Sequence, residues 1–234
     1  MYGIKFNGYH SYTDKGLIMA PGKKIGRPSK EKIKIKVPFS NVEYDFSELY
    51  GSQTYTNREL TYPFNLLGKT KEEMSMEATS IINWLMNSRG KQTLWDDAIP
   101  GYHFLAEVEN ETDFKENWAD GVITVKFTAY PFMICDYAEG TDIWDEFNFI
   151  TDMVQDSSFI VNDSLETTIY NLGATDIKPT IITNADMTIV MNNKTYTIPT
   201  GTTKSYDFIF KPGENNLTIT GNGTISFVFY KELI

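Results

Sequence analysis

Hydrophobic and polar residues alternate with a period of two along much of the chain, which is the pattern of β-strands that bury one face. The pattern is clearest between residues 92 and 132, where the runs 102–109 and 122–130 are strand-like and a Pro100-Gly101 turn precedes the first run. We therefore predict that these two strands form the centre of the first half of the chain.

Three further β segments are predicted before this stretch. Asn7-Gly8 separates strand-like runs at 2–6 and 9–12, and this dipeptide tolerates the positive φ values of a type I′ hairpin turn. Residues 54–66 predict another strand. In residues 32–37, Lys and apolar residues alternate, so one face of this strand is expected to be solvated and the other to pack. The residues of the two faces are Lys32, Lys34 and Lys36, and Ile33, Ile35 and Val37.

The three lysines allow two interpretations. Lysines on a solvated or edge strand commonly protect that strand from aggregation. A concentrated positive charge can also contact an acidic neighbour, such as another copy of the chain. The sequence leaves both interpretations open.

One helix is predicted, over residues 71–87. Thr70 and Glu73 have the spacing of a capping box, in which each side chain binds the backbone N–H of the other residue. An apolar stripe follows at helical spacing, and the polar residues 87–90 end the pattern. The stripe comprises Met74, Ala78, Ile81, Ile82 and Leu85.

The second half of the chain predicts a separate β domain. Residues 136–164 contain eight acidic residues and no Lys or Arg, and we interpret them as an acidic connection between domains at 1–135 and 165–234. From residue 165 onward, short strands recur about every ten residues with turn signals between them, including predicted strands at 206–210, 217–220 and 225–230. This spacing is typical of a β-sandwich or jelly roll, so the fold class is mainly β with one helix.

Charge and cysteine content exclude several classes of partner. Residues 1–135 carry 16 basic and 17 acidic residues, whereas residues 136–234 carry 5 and 14, so nearly all of the net charge of −10 lies in the second half. Such a half repels nucleic acid and anionic membranes. A single cysteine, Cys135, with only His10 and His103, cannot form an internal disulfide or a Cys/His zinc site. No signal peptide or membrane span is apparent, so we expect folding in a cytoplasm.

The sequence contains no convergent set of catalytic groups. The adjacent Asp96 and Asp97 follow a strand-like run, where turn formation is a simpler explanation than paired-carboxylate catalysis. No nucleophile motif or glycine-rich phosphate loop is present. We predict no enzyme activity, no cofactor and no metal.

These features together resemble the distal tail proteins of siphophages or prophages. The resemblance covers nearly the whole chain and depends on the order and spacing of several short motifs. In the first half they are Phe6-Asn7-Gly8, Val37-Pro38, Tyr44-Asp45-Phe46-Ser47, Arg58-Glu59-Leu60, Trp84-Leu85, Leu94-Trp95-Asp96-Asp97, Tyr102 and residues 127–132; in the second they are Tyr170-Asn171-Leu172-Gly173, Pro179 and residues 212–215. The chain departs from the family where Phe39 and Asn41 stand in place of glycines, which leaves the conformation of that loop open.

The resemblance implies a virion structural protein of the tail tip or baseplate, assembled in the bacterial host cytoplasm. It implies a β-rich, ring-forming N-terminal domain with one helix and a galectin-like C-terminal β-sandwich. Distal tail proteins form hexameric rings between the tail tube and the tail-tip proteins, leaving a channel for DNA. Expected partners are therefore further copies of the chain, the tail tube protein, the tape-measure protein and tail-tip or fibre proteins, without sequence-specific DNA binding or membrane insertion.

We predict that the ring or partner interface includes the strand at 32–36 and the hairpin at 92–109. Its candidate residues are Lys32, Lys34, Lys36, Trp95, Asp96, Asp97, Pro100 and Tyr102. The alternative function is a carbohydrate-binding module that recognises the host surface through the C-terminal sandwich. That domain has no Trp, and core or interface burial is the simpler explanation of most of its Tyr and Phe residues.

Overall fold

The computed structural model describes residues 2–49, 51–67, 70–109, 113–116, 120–141 and 153–234. The chain divides into two compact units, Met1–Met133 and Ile134–Leu233. β-strands predominate in both, which confirms the mainly β fold class. No helix among the described residues is both long and apolar enough to cross a membrane.

The first unit is an antiparallel β structure with one described helix. Its elements are β1 (Ile4–Phe6), β2 (Tyr9–His10), β3 (Ile18–Met19), β4 (Lys24–Ile25), β5 (Lys34–Lys36), β6 (Glu43–Asp45), β7 (Arg58–Leu67), α1 (Lys71–Met86), β8 (Gln92–Asp96), β9 (Tyr102–Glu107), β10 (Asp113–Glu116) and β11 (Asp120–Ala129). The main sheet has the order β2-β1-β8-β9-β11-β7, with β3 and β4 both paired to β7 and β10 paired to β11. β5 and β6 form a separate two-stranded sheet.

Alternate residues of the main sheet build the core of this unit. Phe6, Tyr62, Phe64, Phe104 and Phe127 are all buried, and Phe6 meets Phe127 edge to face with ring centroids 5.0 Å apart. The predicted stripe of α1 contributes Met74, Ala78, Ile81 and Leu85, and Trp84 donates a hydrogen bond from Nε1 to the Phe6 carbonyl. The sheet and the helix therefore share one core.

Two local predictions for this unit are confirmed. Asn7 and Gly8 have φ values of 45° and 81°, as the predicted hairpin turn requires, and Phe6 pairs with Tyr9 across it. Thr70 caps α1, and both hydrogen bonds of the capping box with Glu73 are present. The helix ends at Met86, one residue before the predicted end.

The second unit contains a six-stranded sheet with a long antiparallel two-stranded ribbon. Its strands are β12 (Met133–Ala138), β13 (Ser158–Asn171), β14 (Thr180–Thr183), β15 (Met187–Met191), β16 (Lys194–Ile198), β17 (Gly201–Lys204), β18 (Gly213–Val228) and β19 (Tyr230–Leu233). The sheet order is β16-β15-β18-β14-β17, β13 pairs with β18, and β12 pairs with β19. The ribbon of β13 and β18 extends from the pair Ser158–Ser226 to the pair Asn171–Gly213.

A single strand, β18, replaces the two strands predicted at 217–220 and 225–230. The predicted turn between them, Gly221-Asn222-Gly223, lies inside this strand and continues to pair with β13. Gly221 and Gly223 have φ values of 145° and 151°, and a Cβ on Gly223 would lie 2.3 Å from Asn184 Oδ1. The glycines therefore allow β18 to change direction and approach the 184–187 segment closely, without ending the strand.

The unit boundaries and one strand also differ from the sequence prediction. Residues 136–138 belong to β12 and residues 158–164 to β13, while 142–152, the middle of the predicted acidic connection, lie outside the described residues. The strand predicted at 206–210 is wrong, because residues 201–204 form β17 instead. Phe208 and Phe210 are nevertheless fully buried, with ring centroids 5.4 Å apart, so their apolar character reflects core packing and not strand formation.

Candidate subunit interface

The strand predicted at 32–36 forms one side of a projecting hairpin, which we call the arm (residues 31–47). In it, β5 and β6 pair with the register Lys34–Asp45, Ile35–Tyr44 and Lys36–Glu43. The base of the arm is closed by a hydrogen bond from the Glu31 N–H to the Thr54 carbonyl and by the bridge between Lys30 and Tyr55. Directly opposed residues of a hairpin lie on the same face, so this register assigns every side chain of the arm to one of two faces.

One face of the arm carries charges that pair with one another. Lys32 Nζ lies 3.1 Å from Asp45 and Lys34 Nζ lies 3.1 Å from Glu43. Asp45 also accepts hydrogen bonds from the hydroxyl and backbone N–H of Ser47. These Ser47 bonds, with the charge of Lys32, lower the pKa of Asp45 to about 2. The positive charge of Lys32 and Lys34 is therefore balanced within the arm.

The opposite face of the arm is apolar and exposed. Ile33, Ile35, Tyr44 and Phe46 retain 61%, 56%, 54% and 38% of their accessible surface. The sequence prediction that this face packs within the chain is therefore wrong. Val37 and Val42 extend the face toward the hairpin turn, and Val42 is also exposed. Isolated two-stranded hairpins are marginally stable in water, and contiguous exposed apolar surface marks sites of interaction.

The tip of the arm adds a strained and fully exposed aromatic residue. Phe39 has a φ of 61° and a relative exposure of 112%, and the Ser40 N–H donates to the Val37 carbonyl to close the turn. Left-handed backbone is costly for residues other than glycine and is concentrated at functional sites. The sequence left the conformation of this loop open. The structure shows a turn of the kind that suits glycine, in which Phe39 is exposed to solvent.

The remaining predicted interface residues belong to β8, β9 and the turn between them. Trp95 is 37% exposed, its ring lies 5.4 Å from Lys5 Nζ, and its centroid is 5.9 Å from that of His103. Pro100 is exposed and Tyr102 is partly buried. Trp95 and Pro100 thus each keep exposed surface at this end of the first unit.

Asp96, in contrast, is part of the interior of the first unit. It is 3% exposed and accepts hydrogen bonds from Tyr62 Oη at 2.9 Å and from the Ala98 N–H at 3.0 Å. Lys23 Nζ forms an ion pair with the same carboxylate. Burial and the charge of Asp96 hold the pKa of Tyr62 well above its usual value. Asp96 is the partner that compensates Lys23, which no sequence signal indicated.

Asp97 connects the turn after β8 to the N-terminal hairpin. Its Oδ2 accepts a hydrogen bond from the Gly3 N–H at 2.8 Å and lies 3.0 Å from His10 Nε2. His10 Nδ1 in turn accepts hydrogen bonds from the backbone N–H groups of Tyr12 and Thr13. Asp96 thus binds a backbone N–H of the turn that follows β8, as the predicted role in turn formation requires, whereas Asp97 binds the backbone of the N-terminal strand.

The second unit contains a shallow groove without aromatic side chains. It has a volume of about 390 Å³ and lies on the ribbon of β13 and β18, where its lining is polar apart from Leu217. The complete lining is Glu166, Thr167, Thr168, Asn216, Leu217 and Thr218. Because no aromatic ring on which a sugar could stack lines this groove, it adds no support to the carbohydrate-binding alternative. Across the described ranges, no group of three or more His, Cys, Asp and Glu side chains is placed to hold a metal ion.

Comparison with known proteins gives a similarity in structure and none in sequence. No family model and no curated protein matches the sequence. The structure is similar to the crystal structure of the SPP1 Dit (gp 19.1) protein, described as a paradigm of the hub adsorption apparatus in phages that infect Gram-positive bacteria. The match covers 100% of both chains with a TM-score of 0.66 and 14% sequence identity. The resemblance to distal tail proteins is therefore confirmed in the fold: the chain has the mainly β fold of this phage hub protein.

Proposed function

We propose that the protein is a structural hub of a phage tail tip, and that its copies form a ring, hexameric by the resemblance to distal tail proteins. The ring joins the tail tube to tail-tip or adhesion proteins and leaves a channel for DNA. The single observation that carries this proposal is the exposed apolar face of the arm. The proposed role needs binding surfaces and no catalytic group.

A closed ring requires each copy to present two different, complementary surfaces, one to each neighbour. The arm supplies one of these two surfaces, because it extends an apolar face from a unit that has its own buried core. Burial of Ile33, Ile35 and Tyr44 against the next copy would supply hydrophobic free energy of roughly 1.5–3 kcal/mol for each fully buried large side chain. The lysines of the opposite face would stay in solvent, where Lys32 and Lys34 already have acidic partners.

The charge distribution supports an assignment of partners to the second unit. The residues from 136 onward carry 5 basic and 14 acidic side chains, which oppose phosphate binding. In the proposed assembly the second unit therefore contacts tail-tip or fibre proteins, while DNA only passes through the channel. Assembly in the host cytoplasm and the tape-measure protein as a further neighbour are parts of the same proposal.

Sedimentation velocity with light scattering tests the proposal on the full chain. We expect a ring, or a monomer that assembles as its concentration rises. Double substitution I35N/Y44N makes the cross-strand pair of the apolar face polar and should leave a folded monomer. The matched control K36Q/E43Q changes the next cross-strand pair, on the charged face, and should assemble like the unmodified chain.

The outcomes separate the two faces of the arm. Loss of assembly only in I35N/Y44N would support the proposal, with circular dichroism verifying that both variants are folded. A chain that remains monomeric at every concentration would contradict the ring. Assembly that survives I35N/Y44N but not K36Q/E43Q would assign the contact to the charged face instead.

A further inference from the structure

Arg58, the first residue of β7, is a buried cation without a described acidic partner. It is 3% exposed, although arginine is rarely buried without a partner. Its guanidinium lies 5.4 Å from the centroid of the Phe104 ring. Among the described residues, none accepts a hydrogen bond from it or forms an ion pair with it, and its Nε is a buried donor without an acceptor.

A second positive charge makes the position of Arg58 still less favourable. The antiparallel register that pairs Ile25 with Leu60 would, if continued by two residues, bring Arg27 opposite Arg58. Burial and then the charge of Arg27 lower the pKa of Arg58. Removing a charge from water without a partner is costly, because the interior replaces neither its hydration nor its counter-charge.

The segment before Arg58 contains a buried hydrogen-bond acceptor that also has no described partner, the side-chain oxygen of Gln53. Gln53 donates from Nε2 to the carbonyls of Glu31 and Thr54, at 2.7 Å each, whereas its Oε1 is buried without a donor among the described residues. Buried polar atoms without partners are uncommon and call for an explanation. Here two of them lie on residues 53–58, the segment that leads from the base of the arm into β7.

We propose that Arg58 is a carboxylate-binding residue of the subunit interface, completed by an Asp or Glu side chain of a second copy of the chain. The planar guanidinium fork suits a carboxylate, which it can bind through two parallel hydrogen bonds. The inference rests on the proposed function, because it assigns the acid to the neighbour that the arm contacts.

Position and charge favour a second copy as the source of this carboxylate. Arg58 lies three residues after Tyr55, whose bridge to Lys30 closes the base of the arm, so Arg58 is close in the chain to the element that is proposed to contact the next copy. The chain carries 31 acidic and 21 basic residues, so each copy has acids in excess. A carboxylate in this position would neutralise the buried guanidinium and also offset the charge of Arg27.

The test compares R58M and R58K with the unmodified full chain by sedimentation velocity and by thermal unfolding. Met retains the apolar stem and removes the charge, whereas Lys retains a charge and removes the fork. We expect each substitution to weaken self-association at least about tenfold. In the I35N/Y44N background, which isolates the monomer, R58M should leave the Tm equal or higher because it removes an unpaired buried charge.

Each other outcome contradicts the proposal at an identifiable step. If the unmodified chain never assembles, both the ring proposal and the role of Arg58 are contradicted. If R58M assembles as strongly as the unmodified chain, the ring proposal stands and the proposed role of Arg58 is wrong. A lower monomer Tm in R58M, with weaker assembly, assigns Arg58 to packing on Phe104. A free anion is the occupant if two results coincide. Inorganic phosphate would raise the Tm of the I35N/Y44N monomer but not of the same monomer with R58M, and R58M would leave assembly unchanged.

Discussion

Two adjacent aspartates, Asp96 and Asp97, have different roles because a strand ends between them. Asp96 is the last residue of β8 and points to the buried face, where it meets Tyr62 and Lys23. Asp97 begins the turn, and its side chain is 38% exposed. The two carboxylates therefore bind separate partners and do not converge on a shared site.

The first prediction concerns these two residues. D96N should lower the free energy of unfolding by about 2–4 kcal/mol, because it leaves the Lys23 charge without its buried partner. The matched control D97N should cost about 1 kcal/mol or less, since the Asp97 side chain is partly solvated. Urea unfolding measures both, and equal losses would contradict the different burial of the two carboxylates.

The arm is an element whose two faces have separate tasks. Its charged face is stabilised within the hairpin by the Lys32–Asp45 and Lys34–Glu43 pairs and by the bonds from Ser47 to Asp45. Its apolar face has no comparable cover. The interactions of the charged face therefore contribute to the hairpin itself, while the apolar face remains exposed.

The acid stability of the arm should depend on Ser47. The pKa of Asp45 is lowered from 3.8 to about 2, with the Ser47 hydroxyl as the largest cause. A lowered carboxyl pKa stabilises the folded arm above about pH 4, and this contribution is lost as the pH falls through about 2. S47A should raise the Asp45 midpoint toward 3.8 in an NMR titration.

The matched control for this titration is S40A. Ser40 lies in the same hairpin, but its hydroxyl accepts from the Val42 N–H and makes no described bond to Asp45. The Asp45 midpoint should therefore stay unchanged in S40A. Identical midpoints in the unmodified chain and S47A would show that Ser47 does not set this pKa.

At the scale of the whole molecule, the contact that the arm makes between copies is apolar in the proposed assembly. The sequence allowed a contact through the lysines at 32, 34 and 36, but Lys32 and Lys34 are compensated within the arm. The chain also has a net charge of −10, so long-range repulsion between copies opposes assembly. Hydrophobic burial is the force that overcomes it.

The salt dependence of assembly distinguishes these two forces. Raising NaCl from about 0.1 M to about 1 M shortens the Debye length from about 10 Å to about 3 Å. We expect the dissociation constant of the assembly to stay equal or to decrease, because repulsion is screened while apolar burial is retained. Light scattering across a salt series measures this, and dissociation at high salt would show that ionic contacts between copies dominate.

Elements whose signals are local could be predicted from the amino-acid sequence. The Asn7-Gly8 turn and the capping box of α1 were predicted with correct positions, because their residues interact with near neighbours in the chain. Alternation along residues 32–37 also identified the two faces of β5 correctly. Local chemistry is sufficient for such features, since no distant residue has to be known.

Which of these faces and residues are buried depends on long-range packing, which the sequence pattern does not show. Alternation predicted an apolar face for β5 but not that the hairpin projects and leaves Ile33 and Ile35 exposed. The pairing of Asp96 with Lys23, the continuation of β18 through Gly221 and the burial of Arg58 all depend on residues far away in the sequence. Burial is a property of the assembled chain, so the candidate interface became visible only when the structure showed which apolar and charged groups the fold leaves without partners.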